Sequence, residues 1–271
     1  LEIVKFLSTL DSVDPGADNN FPIGVSSENG HLEIVKFLST LDSVDPGGND
    51  NYAIIMASEN GHLEVVKFLS TLDSVDPGGN DNYAIIMASQ EGRLEVVKFL
   101  ASLPSVNPGA DRNLAIISAS ENGHLEVVKF LASLPSVNPG ADRNLAIISA
   151  SEHGHLEVVK FLSTLDSVDP GAKYNFSIGL ASEHGHLEVV KFLASLPSVN
   201  PGGHDNFSIG VASREGHLEV VKFLASLPSV NPGANHNGAI VAACKNGHLD
   251  IIKFLSTLDS VNLGANYIFY Y

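Results

Sequence analysis

LEVVKFL, residues Leu63–Leu69, returns unchanged at Leu94, Leu125, Leu156, Leu187 and Leu218; LEIVKFL stands at Leu1 and Leu32, and LDIIKFL at Leu249. Every step is 31 residues and no insertion interrupts the phase. A fixed period of this length marks a repeat architecture, in which one small module cannot cover its own apolar side and its neighbours do so instead. The 271 residues therefore read as one array of units 1–31, 32–62, 63–93, 94–124, 125–155, 156–186, 187–217 and 218–248, with a partial unit at 249–271.

One unit, Leu32–His62, shows what the array is made of. Leu32, Val35, Phe37, Leu38 and Leu41 recur at helical spacing and predict an amphipathic helix. Glu33 and Lys36 lie three apart and predict an ion pair on its outer side. The helix is expected to end near Asp42, and in other units before Pro104, Pro135, Pro197 and Pro228, where proline removes a backbone donor. Pro46-Gly47-Gly48 is turn chemistry. A second helix is predicted over residues 51–60, closed by a left-handed residue at Gly61.

The run ASENGHLEVVKFL at Ala57–Leu69, repeated in phase through all eight full units, resembles the centre of the ankyrin repeat. The resemblance implies an all-α, helix-turn-helix repeat solenoid, stacked with a right-handed sense, that works by protein–protein interaction. Two departures stand out. The family's T-P-L-H opening is replaced by YAII at Tyr52, LAII at Leu114 and FSIG at Phe176, and its G-A-D-V-N by LDSVDP or LPSVNP. The β-hairpin fingers of the family are therefore expected to be short or absent.

Composition narrows the function classes. There are 15 basic against 31 acidic residues, a formal charge of −16, so nucleic acid and anionic membrane surfaces are disfavoured as partners. No apolar run approaches the roughly 18 to 20 residues of a membrane span. Cys244 is the one cysteine, so no disulfide forms within the chain; it replaces Ser58 and Ser120 of the ASE motif and is expected to be a small buried residue. The histidines at His31, His62, His124, His155, His186, His217 and His248 share one column, and helices 8 to 10 Å apart hold successive copies too far apart to share an ion. That column is expected at the helix start, packed at the turn. His153-Gly154-His155 and His184-Gly185-His186 are at most weak chelators. No nucleophile, phosphate loop or carboxylate pair breaks the repetition, so neither catalysis nor a cofactor is expected.

Two kinds of site remain. An asparagine recurs at Asn20, Asn51, Asn82, Asn113, Asn144, Asn175, Asn206 and Asn237, either as a helix N-cap or as a ladder of amides joining unit to unit. The two positions before it vary: Asp18 and Asn19, Asn49 and Asp50, Asn80 and Asp81, Asp111 and Arg112, Asp142 and Arg143, Lys173 and Tyr174, His204 and Asp205, Asn235 and His236. They are predicted loop tips and the candidate protein-binding strip. A second variable pair precedes the glycine, as at Glu59 and Asn60 or Arg214 and Glu215. Asn175 and Asn206 also match the N-glycosylation pattern.

The chain opens within a unit at Leu1, which is not methionine, so it is expected to be part of a longer array or a processed product. Leu1, Val4 and Phe6 at one end and Tyr267, Phe269, Tyr270 and Tyr271 at the other are the candidate end-to-end contact. Head-to-tail contacts that do not close give filaments. The unit uniformity and apolar ends make a structural array that self-associates end-to-end into a filament the expected function; the variable tips support the alternative, a soluble adaptor or effector module for a different protein.

Overall fold

The computed structural model describes residues 1–262. Among them are seventeen helices and no strand, and they divide into two compact units, Leu1–Asn138 and the described residues from Pro139 onward. The first unit holds α1 (Glu2–Leu7), α2 (Ala17–Glu28), α3 (Leu32–Leu38), α4 (Gly48–Glu59), α5 (Leu63–Leu69), α6 (Gly79–Gln90), α7 (Leu94–Ala101), α8 (Ala110–Glu121) and α9 (Leu125–Ala132). The second holds α10 (Ala141–Glu152), α11 (Leu156–Leu162), α12 (Ala172–Glu183), α13 (Leu187–Ala194), α14 (Gly203–Glu215), α15 (Leu218–Ala225), α16 (Ala234–Lys245) and α17 (Leu249–Leu255). Within each unit the even helices stack on even, the odd on odd, and each even helix packs on the odd helix that follows it.

Part of the predicted apolar stripe forms the core: Val35 and Leu38 are buried, whereas Leu32, Phe37 and Leu41 are half-buried. Val65, Val66 and Leu69 of α5 are buried together with Ala53, Ile54 and Ala57 of α4, and the same columns are buried in the second unit at Val189, Val190, Leu193 and Ala181. The outer pair forms as expected, Lys36 Nζ lying 2.8 Å from Glu33 Oε1 in water. The short helices stop at Leu or Ala, ahead of Pro104, Pro135, Pro197 and Pro228. Gly61 has φ +79, so it closes α4 in the left-handed region, and the His62 N–H then bonds the Ala57 carbonyl at 2.9 Å.

The fingers are absent: the long connection is a set of tight turns, with no strand pairing among the described residues. These turns stack closely. A Cβ on Gly47 would overlap the Ser74 carbonyl of the next repeat, and Gly16, Gly78, Gly202 and Gly233 meet the equivalent serine carbonyl. The Pro-Gly turn is thus set by inter-repeat crowding as well as by local turn chemistry.

Cys244 corrects the expectation of a small buried residue. Ser58 and Ser120 are fully buried, and their hydroxyls donate to the Ile54 and Ile116 carbonyls at 2.7 Å. Cys244 is exposed. In earlier repeats the next long helix covers this column, and after α16 no such helix lies among the described residues.

Candidate protein-binding surface

Each long helix begins with a kink, three successive residues in the left-handed region. Asn49, Asp50 and Asn51 have φ of 54, 55 and 64, and the eight repeats agree. The first two residues are the variable pair, and all sixteen strip residues, from Asp18 and Asn19 to Asn235 and His236, are exposed. The third is the recurring asparagine. Left-handed backbone costs an L-residue roughly 1–2 kcal/mol, least for Asn and Asp, whose short polar chains bond locally. Arg112, Arg143, Lys173, Tyr174, His204 and His236 occupy it all the same.

What holds the turn is the asparagine side chain, and the N-cap alternative gives way to the ladder. Asn51 Oδ1 accepts from the Asp76 N–H at 2.8 Å, one repeat further on, and the helix entry carries no side-chain cap. Asn82 does the same with Asn107 at 2.6 Å, Asn175 with Asn200 at 2.7 Å and Asn206 with Asn231 at 2.7 Å. A residue bonded across the interface from a left-handed position has few substitutes, which explains the column. A glycan attaches to Nδ2, and at Asn175 that nitrogen packs against Gly203 of the next repeat, 2.6 Å from where a Cβ would stand, so the ladder leaves little room for one.

The histidine column forms a second ladder. His62 Nε2 donates to the Glu28 carbonyl at 2.8 Å, and His186, His217 and His248 reach Glu152, Glu183 and Arg214 in the same way. Each acceptor lies in the last turn of a long helix, where carbonyls lack intrahelical partners. A carbonyl can only accept, so the neutral ring carries its proton on Nε2. Arg93 stands in this column and donates from Nε to the Glu59 carbonyl at 2.9 Å, so the bond, not the imidazole, is what the position requires. Burial pushes the His186 pKa below its ordinary value despite this bond. The paired rings His153–His155 and His184–His186 stack at 6.4 and 6.2 Å. Among the described residues no group of three His, Cys, Asp or Glu converges as metal ligands would.

The tips differ between units. In Leu1–Asn138 the charged members are Asp18, Asp50, Asp81 and Asp111 against Arg112. From Pro139 on, Asp142 and Asp205 face Arg143 and Lys173, with Tyr174, His204 and His236 among them. Tyr174, 80% exposed, stacks on His204 at 5.7 Å, and His204 meets Phe207 edge-on at 5.8 Å. Lys173, Tyr174, Phe176, His204 and Phe207 line a cavity of about 350 Å³. The second variable pair separates the units as well. Burial, then Glu91 and Glu28, raise the Glu59 pKa; Arg214 instead bridges Glu183 at 2.5 Å and Glu215 at 2.6 Å.

Residues 1–81, 23–114, 56–144, 85–177, 116–205 and 178–266 each match the family model described as Ankyrin repeats (3 copies). The chain belongs to the ankyrin repeat family. Ankyrin repeats are protein–protein interaction scaffolds, and the helical stacks of this chain are built as one. No curated protein matches the chain at a significant level. Among the described residues no helix is long and apolar enough to cross a membrane.

Sequence reasoning located the exposed strip by its variation. It missed Phe207, Gly210 and Gly238, which shape a cavity beside the strip. The available signal was in the column at Phe21, Tyr52, Tyr83, Leu114, Leu145, Phe176 and Phe207, which ends in Gly238.

Proposed function

We propose that this ankyrin-repeat chain is a non-catalytic adaptor that holds another protein along the loop-tip strip. One observation supports this above all. The columns that make the core and the two ladders barely change, whereas the exposed tips change in charge and aromatic content from repeat to repeat. Exposed residues in strained backbone are also where binding surfaces concentrate. A photoreactive phenylalanine analogue placed at Arg112, Arg143 or Asp205 is expected to crosslink a partner in extracts of the source cells. The same analogue at the outer-face Lys98 or Lys191 is expected not to. Equal crosslinking at both sets, or crosslinks at the lysines alone, would remove the strip from the interface. Charge reversal at Arg112 and Arg143 should weaken the same partner.

A second reading is end-to-end self-association into a filament. The observation that favours it is the bare face of α1, where Ile3 is 74% and Phe6 64% exposed and Leu1 is also exposed; Val4 is half-buried. Its other proposed half, Tyr267, Phe269, Tyr270 and Tyr271, lies outside the described residues. Sedimentation at micromolar concentration should then show assemblies that Phe6→Ser removes. Monomers in both samples would end this reading.

A further inference from the structure

Two pairs of successive long helices pack by a knob and a hole. The hole is Gly24 on α2, and the knob is the Tyr52 ring of α4, which a Cβ on Gly24 would approach to 2.5 Å. Gly179 on α12 receives Phe207 of α14 in the same way, at 2.8 Å. Where the hole position carries Ile55, the next knob, Tyr83, is turned outward and is 42% exposed. At Gly210 on α14 the hole is present, and the knob column of α16 holds Gly238. A Cβ on Gly210 would meet nothing within 4 Å. The result is an open cavity of about 340 Å³ between α14 and α16, floored by Ile209, Val211, Ala239 and Ala242.

We infer that this cavity receives an aromatic side chain, flanked by a basic residue, from an extended segment of a partner protein. The aromatic ring follows from the chain's own packing, since Tyr52 and Phe207 are the groups that fill the equivalent holes. The basic neighbour follows from charge. The lining carries Asp205 and Arg214, and Arg214 is already bonded to Glu183 and Glu215, which leaves the Asp205 carboxylate to attract a cation. His204 and Phe207 belong to this wall and to the neighbouring cavity under Tyr174, so the hole is continuous with the loop-tip strip. A partner segment leaving the hole therefore runs onto the stacked Tyr174–His204 pair. The inference rests on the adaptor reading and deepens it by giving the partner's chemistry.

The test uses the whole chain and the capped peptide acetyl-Gly-Phe-Lys-Gly-amide, followed by amide NMR. Saturable shifts are expected at Gly210, Gly238 and Ala242. Peptides with Leu or Ala for Phe, or Glu for Lys, should bind about five- to tenfold more weakly. Gly238→Phe supplies the missing knob and should abolish the shifts while the protein melts as before. If that variant does not fold, Phe207→Gly decides the matter by opening an equivalent hole at Gly179, where a second set of shifts should appear. No saturable shift at Gly210 and Gly238, or equal binding of the Phe and Ala peptides, would overturn the proposal. Position-specific crosslinking at Arg112 and Arg143 would still stand in that event, so loss of this pocket and loss of the adaptor reading give different results.

Discussion

Leu1–Asn138 and Pro139 onward hang different surfaces on one scaffold. In both, the core columns, the left-handed turn, the asparagine ladder and the histidine ladder recur with nearly the same distances. The tips of the first are acidic, and its helix ends crowd Glu28, Glu59 and Glu91 together. The tips of the second are balanced in charge and gather Tyr174, His204 and Phe207, and its helix ends carry His153, His184 and the Arg214 bridge. The difference teaches where such an array is free to change. A residue whose bond to the neighbouring repeat holds the stack must keep a fixed spacing, whereas most of the tip residues point into solvent and are freer to change.

The largest effect should come from the shared core. Leu100→Ala and Leu193→Ala each remove a side chain with 0% exposure and should each cost about 2–5 kcal/mol. Chemical denaturation measures this, and costs differing by more than about 2 kcal/mol would break the claim of one scaffold in two units. Next come the ladders. Asn82→Ala and Asn206→Ala leave the Asn107 and Asn231 N–H without its partner and should each cost about 1–3 kcal/mol. Asn→Asp, which keeps an acceptor and tolerates the left-handed turn, should lose less; equal losses would mean the bond is not what the column supplies.

Smaller and opposite in sign is the relief of strain at the tips. Arg112→Gly in one unit and Lys173→Gly in the other should raise stability by about 0.5–1 kcal/mol, the left-handed penalty less the entropy of glycine. A thermal melt that falls in either variant would show that the side chain does more than decorate the turn.

Acid should separate the units by direction. His186 binds its proton less readily folded than unfolded, so its contribution, present above the ordinary value of 6.5, is lost as pH falls below it. Glu59 is shifted upward from 4.5, so the folded first unit takes up a proton sooner and gains stability as pH falls toward that value. Unfolding followed separately in each unit between pH 7 and 4.5 should show the second weaken and the first be relieved. His186→Arg, which copies Arg93, should flatten the response of the second unit.

Much of this was legible in the residues. LEVVKFL predicted α5 and its counterparts, Gly61 predicted the left-handed closure, and the replaced T-P-L-H and G-A-D-V-N segments predicted the missing fingers. Asn51 was legible as a special residue, and both a cap and a ladder accounted for it. Cys244 was misplaced because its column is buried only where a following helix covers it. The hole at Gly210 went unread because neither Gly210 nor Gly238 is unusual alone; each matters through the ring that the other repeat lacks.

The amino-acid pattern alone determined the period, the pairing of helices within a repeat, the glycine and proline punctuation and the positions free to vary. Those properties are local, set by backbone freedom and by which side of a helix is apolar. Only the folded stack decided that Asn51 bonds Asp76, that His62 reaches the Glu28 carbonyl, and that α14 and α16 leave a cavity. Each of these joins atoms about one repeat apart in the chain, and their meeting depends on the distance between stacked helices.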